Sequence, residues 1–405
     1  MNRIPPIILL ILACVGLVYA DEWPQWRGPD RESHVPGASW PDKLNGRLTE
    51  KWNCALHEGY SGPVVSENRV FTFETKSKQI EIVRALDRET GAEIWSHGWE
   101  DHLKVPFFAS SNGSWVRSTP IYEADRLYVG GIQDRLVCID TTDGTELWQV
   151  DFKTRYQAPS PAFGLVCSPL VDADALYVQA GGGIVKLDKT NGDSIWRALA
   201  DGGGMNGSAF SSPVIKTLHG KRQLIVQTRT DLCGLDLTSG EVLWKQAVKA
   251  FRGMNILTPL VRGNRILTST YGGNTQMWDL DETFTPSTIW NNKAQGYMSS
   301  PVETKGFAYI HLRNQRLICV NLENGETTWT SPKGFGKYMS LITNDEKILA
   351  LDQRGELFLF NANPEAFEQL DSMKVSGQDT WAHLAIAGKE VFVRELKGLR
   401  VFTWE

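Results

Sequence analysis

Eight large side chains stand a few positions ahead of recurring prolines or their equivalents: Tyr60, Trp115, Arg117, Phe210, Asn255, Tyr297, Tyr338 and Trp381. Aromatic faces interleaved with one guanidinium and one amide suit a planar ligand or a peptide, because they offer broad apolar area with few orienting polar groups. The same set can equally pack and plug the inside of a ring, and the sequence leaves both readings open. Residues for bond-making chemistry are sparse. The seven histidines are scattered, and His97 with His102 is a poor metal-ligand spacing. Neither G-x-S-x-G, a phosphate-binding loop nor H-E-x-x-H occurs. No catalytic residue, cofactor-binding residue or metal ligand is therefore assigned, and no cofactor is expected. Asn112-Gly-Ser and Asn206-Gly-Ser match the glycosylation triplet, but Asn-Gly is first of all a turn former.

A repeat must bring the eight mouth residues together. The segment LVCIDTTDGTELWQVDF, Leu136 to Phe152, has counterparts ending at Trp95, Trp196, Trp244 and Trp329. In each copy an Asp or Asn (Asp87, Asp140, Asp188, Asp236, Asn321) lies eight residues before the Trp, and a Gly lies four before it. Alternating runs on either side of the Gly read as two strands joined by a tight turn. A second signature opens each module: SGPVV at Pro63, RSTPI at Pro120, CSPLV at Pro169, SSPVI at Pro213, LTPLV at Pro259 and SSPVE at Pro301. Pro inside a strand needs a place where no ladder donor is required, such as the edge bordering a central channel. The unit is thus four antiparallel strands, A to D, from the Pro strand to the Trp strand. Modules of this kind bury their apolar faces only against one another. The Trp residues, Trp52, Trp95, Trp148, Trp196, Trp244, Trp290 and Trp329, are expected to dock each module on its neighbour.

Six modules are regular or nearly so; the fifth carries an insertion in the DETFTPS turn before Trp290. A seventh, from Met339, has Leu341 at the Pro position and lacks the Trp, and an eighth, from Trp381, stops after three strands. The missing fourth strand is supplied by LTEKWNCAL, Leu48 to Leu56, an orphan with Trp52 as its anchor. The expected fold is all-β: an eight-bladed β-propeller closed by an N-terminal strand, which leaves no free edge in the ring. Domain boundaries follow as a signal peptide over residues 1–20, an irregular strap over 21–47 and a single propeller over 48–405. Trp23, Trp26 and Trp40 are expected to pin the strap. The D–A connections vary most, with 25 residues from Trp95 to Pro120 and 11 from Trp290 to Pro301. Variable loops gathered on one face are where repeat proteins usually bind.

Composition narrows the partners. A net charge of −5 argues against a nucleic-acid surface or a polybasic membrane patch. Arg3 followed by IPPIILLILACVGL and the small-residue site Val18-Tyr19-Ala20 reads as an export signal, and nothing after it is long and apolar enough to span a bilayer. Lipidation at Cys14 within ILAC is the alternative processing. Cleavage after Ala20 leaves Cys54, Cys138, Cys167, Cys233 and Cys319, an odd number that already prevents complete internal pairing. A periplasmic monomer is expected.

The repeat resembles the PQQ-like β-propeller repeat, which is shared by quinoprotein dehydrogenases and by the outer-membrane-protein assembly factor. WPQWRGPD followed by EGYSGPVVSENRVF is similar to a group of exported bacterial proteins that carry this propeller alone. The resemblance spans essentially the whole mature chain and speaks to fold more than to function. Quinoprotein dehydrogenases typically show adjacent cysteines beside the quinone, a stacking Trp, and Ca²⁺ held by Glu and Asn with a catalytic Asp. Adjacent cysteines are absent, and no motif locates the rest. The resemblance therefore implies a non-enzymatic binding or assembly scaffold of the cell envelope, engaging a protein or polymer partner at the long-loop face. The alternative it leaves is a PQQ- and Ca²⁺-dependent dehydrogenase acting on alcohols or sugars.

Overall fold

Short alternating runs broken by Gly, Asn and Asp pair locally, and the chain becomes a succession of small sheets. The computed structural model describes residues 21–404 apart from 38 and 333; the expected signal peptide and Cys14 lie outside the described residues. Among the described residues, 32 strands make eight four-stranded antiparallel sheets. Blade 1 comprises Val64–Val65, Arg69–Lys76, Ile80–Asp87 and Glu93–Glu100; blades 2 to 7 follow in the same pattern up to Gln369–Lys374. Blade 8 takes Ala385–Ala387, Glu390–Glu395 and Gly398–Trp404 from the C-terminal end and Leu48–Ala55 from the other. The architecture is an eight-bladed β-propeller. No helix among the described residues is long and apolar enough to cross a membrane.

Closure depends on register. Leu48 lies opposite Trp404 and Ala55 opposite Gly398, with one shift between Glu50 and Trp52. The other D strands show a comparable shift, in most of them near the Trp, for example between Cys138 and Ile139 opposite Trp148. Strand Leu48–Ala55 thus repeats the local geometry of an ordinary D strand although its partners come from the other end of the sequence.

Adjacent blades are joined by a Trp-on-Gly contact. Gly144 has φ +81°, and a Cβ placed there would lie 2.6 Å from the Trp95 ring of the preceding blade. The Gly is needed twice: for its backbone conformation and for the absent side chain beneath the indole. Trp95 Nε1 donates to Thr141 O at 2.9 Å, so burying the ring leaves no orphan donor. Trp52 repeats this on Gly91, with Nε1 donating to Arg88 O at 2.9 Å, and Trp290 repeats it on Gly325, with Nε1 donating to Leu322 O at 2.9 Å. Trp148 and Trp196 lie over Gly192 and Gly240, and Trp329 donates to Asn363 O at 2.8 Å. Trp244 also packs against the next blade, beside Ile266 and Trp278, but without a turn Gly of that blade beneath it. The inserted turn of blade 5 offers no Gly, and the Trp244 indole instead donates to Gln223 Oε1 of its own blade at 2.7 Å. Cys138, Cys167, Cys233 and Cys319 are buried and unbridged.

At the axis each A strand has one edge without a ladder partner. Hydroxyls of neighbouring blades supply acceptors to the residue preceding the Pro: Gly62 N–H donates to Thr119 Oγ1 (3.1 Å), Thr119 N–H to Ser168 Oγ (3.1 Å), and Ser168 N–H to Ser212 Oγ (2.9 Å). The carbonyls on that edge are met by the strap. Trp23 pairs with Val65 of blade 1 and Val35 N–H donates to Thr343 O of blade 7, so the strap crosses one end of the channel. From it, Arg31 donates to Pro169 O (2.7 Å) and Ser168 O (3.0 Å), and Arg27 to Pro301 O (2.5 Å). Both guanidiniums are buried, and desolvation pushes their pKa down to about 10. They are tolerated because backbone carbonyls accept their N–H hydrogen bonds.

Replacing Trp95 by Ala should cost about 3–5 kcal/mol as a buried aromatic deletion. Gly144→Ala should cost roughly 1–3 kcal/mol from backbone strain and overpacking. In urea denaturation the double variant should lose clearly less than the sum, since removing the indole removes the clash. Additive losses would mean the ring and the turn are not one contact.

Candidate functional site

The D–A connections and B–C turns emerge on one face, and there the channel opens as a funnel. Its cavity, about 190 Å³, is lined by six of the eight residues singled out in the sequence: Tyr60, Arg117, Phe210, Tyr297, Tyr338 and Trp381. Each sits just ahead of an A strand, so the ring of blades gathers positions that are far apart in sequence. Tyr338 and Trp381 stack at 5.9 Å with planes 19° apart, and Tyr60 approaches Trp381 at 6.0 Å. The Arg117 guanidinium lies 6.0 Å above the Tyr60 ring and donates to Gly113 O at 2.7 Å.

The other two stand back. Trp115 meets Tyr60 edge-on at 5.5 Å without lining the cavity. Asn255 is buried and donates through Nδ2 to Thr228 O (3.0 Å) and Arg229 O (3.1 Å), tying its loop to the neighbouring B–C turn. Sequence reasoning missed the floor. Trp26 enters the cavity from the strap, and His383 lies beside it with ring centroids 4.8 Å apart. His383 was within reach, since it directly precedes Leu384 of the eighth A strand, as Ser212 precedes Pro213. Trp26 was not, because nothing in an aperiodic segment tells which end of the channel it enters.

The two floor side chains, Trp26 and His383, are neutral. His383 Nδ1 lies 2.7 Å from Leu384 O, so that nitrogen carries the proton, and Nε2 faces Ser33 Oγ at 3.2 Å. Burial, and Arg27 nearby, push the His383 pKa down to about 3. Burial likewise lowers Arg117 to about 10 and raises Tyr60 to about 12. No Asp or Glu lines the cavity. It can hold apolar or aromatic groups, but it offers no carboxylate as general base or calcium ligand. Among the described residues no cluster of three or more His, Cys, Asp or Glu could hold a metal ion.

Above the cavity the longest loop carries the turn Phe107–Asn112, with Phe107 89% and Phe108 55% exposed. Beneath it a carboxyl couples blades 1 and 2. Glu81 accepts from Ile132 N–H at 2.7 Å through Oε1 and from Trp99 Nε1 at 2.9 Å through Oε2. Burial first, and Asp101 next, push its pKa up to about 8.

Comparison with known proteins follows the same lines. The family model described as outer membrane protein assembly factor BamB matches residues 79–331. A relative of that description from Moranella endobia (strain PCIT) is 21% identical over 309 residues, covering 74% of each chain. Another, from Yersinia pestis, is 19% identical over 345 residues, covering 81% of this chain and 82% of the relative. Among solved structures, BamB from Moraxella catarrhalis has a TM-score of 0.66 at 15% identity, covering 88% of this chain and 100% of that one. The quinohemoprotein alcohol dehydrogenase ADHIIG from Pseudomonas putida HK5 has a TM-score of 0.65 at 12% identity, covering 95% and 80%. At such identities the structural likeness speaks for the fold alone.

Glu81 gives a signed pH dependence. Between its ordinary value of 4.5 and about 8 the folded chain holds a proton that the unfolded chain has released. This group's contribution to stability is therefore present at low pH and lost as pH rises through that window. Relative to wild type, Glu81→Gln should gain stability steadily from pH 4.5 to 8 in urea titrations. Parallel curves for the two proteins would contradict a protonated Glu81.

Proposed function

The chain belongs to the family of PQQ-like repeat propellers described as outer membrane protein assembly factor BamB, and from that premise we propose that it is a non-catalytic scaffold in outer-membrane protein assembly. On this reading it is exported to the periplasmic side of the envelope, works as a monomer and engages an envelope protein with its long-loop face. The observation that carries the reading is the funnel: aromatic, free of carboxylates, corked by Trp26 and rimmed by the exposed Phe107 and Phe108. Large aromatics and Arg in a desolvated depression are the residue types that dominate protein–protein binding energy. An exposed apolar rim around such a depression fits a partner that covers it.

The quinoprotein reading shares the fold but not the donors. Calcium requires several oxygen ligands, usually with carboxylates among them. The polar side chains lining this cavity are the Arg117 guanidinium, hydroxyls such as Ser212, Thr258 and Ser300, and the committed imidazole of His383. These residues do not fit a calcium-held quinone, and no reaction step is derived through one.

Capture experiments test the proposal. Site-specific crosslinking in native envelopes should recover outer-membrane assembly components with the wild-type chain. Recovery should fall about tenfold or more when Trp115, Arg117 and Trp381 are replaced by Ala together, as for removal of hot-spot side chains, with circular dichroism unchanged. Addition of PQQ and Ca²⁺ to the purified protein should give neither stoichiometric quenching of Trp fluorescence nor dye reduction with alcohols or sugars. One-to-one quinone binding with turnover would replace the scaffold reading by an enzymatic one.

A further inference from the structure

Many cations of this propeller meet carboxylates, on the funnel side as well, where Arg354 pairs with Asp352 and Lys397 with Glu58. On the side of the A–B and C–D turns they are neutralised by carboxylates: Lys189 by Glu123 at 2.8 Å, Arg222 by Asp172 at 2.6 Å, Arg265 by Glu323 at 2.7 Å. On the funnel side, over blades 4 to 6, three arginines lie on aromatic rings instead. Arg229 is 5.3 Å from the Phe210 ring centroid, Arg252 is 5.2 Å from that of Phe251, and Arg313 is 3.9 Å from that of Tyr271. Among the described residues none of the three has a carboxylate within 4.0 Å. Asp201, which attracts Arg229 from further away, is bonded to Gly203 N–H (3.1 Å) and Ser208 N–H (2.7 Å) of its own loop.

The rings beneath these cations form one connected track. Phe251 meets Tyr271 at 4.8 Å, and Tyr271 meets Tyr297 of the cavity wall at 5.4 Å. From Phe210 the track continues through Phe163 at 6.0 Å to the exposed Phe108 at 6.2 Å. Arg229 closes the gap between Phe210 and Phe251 by donating to Arg252 O at 2.6 Å. An arginine on an aromatic face keeps its charge and its planar donor fork available to an incoming carboxylate. The chain as a whole carries −5, so three arginines with no carboxylate in contact at one mouth mark a local reversal of sign.

Taking the scaffold reading as its basis, we infer that the funnel face takes an acidic polypeptide segment: its carboxylates meet Arg229, Arg252 and Arg313, and its apolar side chains enter the cavity and cover Phe108. Charge complementarity selects an acidic partner, and the shape selects a chain segment. The track bends around a concave mouth, where a planar bilayer makes poor contact. It also crosses loops from several blades, further than a small ligand reaches. The cavity, about 190 Å³, admits side chains but not a folded module.

The test uses the full mature chain and labelled peptides of about 12 residues, long enough at ~3.3 Å per residue to cross the mouth. One peptide repeats Glu-Glu-Phe, and its counterparts carry Gln or Lys in place of Glu. Fluorescence anisotropy should show binding of the Glu peptide, weakening with added salt. The Gln peptide should bind about tenfold or more weakly, and the Lys peptide not at all. R252E/R313E should lose about tenfold or more for the Glu peptide with its circular dichroism unchanged. Equal binding of Glu and Gln peptides, or full binding by R252E/R313E, overturns the inference. So does a result in which vesicles of phosphatidylglycerol and phosphatidylcholine co-sediment with the chain, R252E/R313E abolishes it, and no peptide binds. If R252E/R313E still crosslinks to outer-membrane assembly components in envelopes while no acidic peptide binds, this inference falls and the scaffold reading stands.

Discussion

A propeller is constrained most tightly at its axis, where inner strands meet with backbone groups that no ladder can satisfy. Here two devices meet that constraint. Pro at the A strand removes a donor, and a Ser or Thr ahead of it accepts the N–H of a neighbouring blade, as Ser168 does for Thr119. The carbonyls are answered by Arg27 and Arg31 of the strap, two buried guanidiniums with several donors each. The strap is therefore part of the solution to the hydrogen-bond problem. Because it answers that problem from one end, the strap floors the cavity that opens at the other.

The outer parts of the blades obey a different rule. Indoles lie flat on glycines of the next turn, and each contact is local to one pair of blades. Where the turn changes, the contact changes without breaking the ring. Blade 5 has its insertion, Trp244 turns to Gln223, and Ile266, Trp278 and Leu280 fill in around it. A repeat protein tolerates such a defect because its stability is distributed over neighbouring interfaces.

These two rules explain what could be read from the sequence. The blades, their number and the closing strand were legible because Trp148, Gly144 and Pro120 answer to spacing, and spacing survives in a linear string. Six cavity residues were legible for the same reason, each sitting at a fixed offset from an A strand. The direction taken by a side chain at such an offset was not. Trp115 and Arg117 lie two apart, yet only Arg117 lines the cavity, and Asn255 turns back to the carbonyls of Thr228 and Arg229. The strap was legible as irregular but not as a cork. Its contacts with blades 1, 3, 6 and 7 depend on aperiodic residues that carry no register of their own. The arginine track was hidden as well, since Arg229, Arg252 and Arg313 become neighbours only when three blades are side by side.

The strand from Leu48 to Ala55 finds its partner in Gly398–Trp404, so the ring closes on residues from opposite ends of the described chain. Contacts that distant in sequence are slow to form and cannot nucleate folding. During synthesis, Leu48–Ala55 emerges early and stays an unpaired, partly apolar edge until the last blade arrives. The cork waits with it, because the carbonyls of Pro169 and Pro301 lie on rims that are brought round the axis only as the circle is completed. Ring closure by this strand therefore has to follow synthesis of the last blade. Until then the last blade lacks its outer strand and the ring its closing contact.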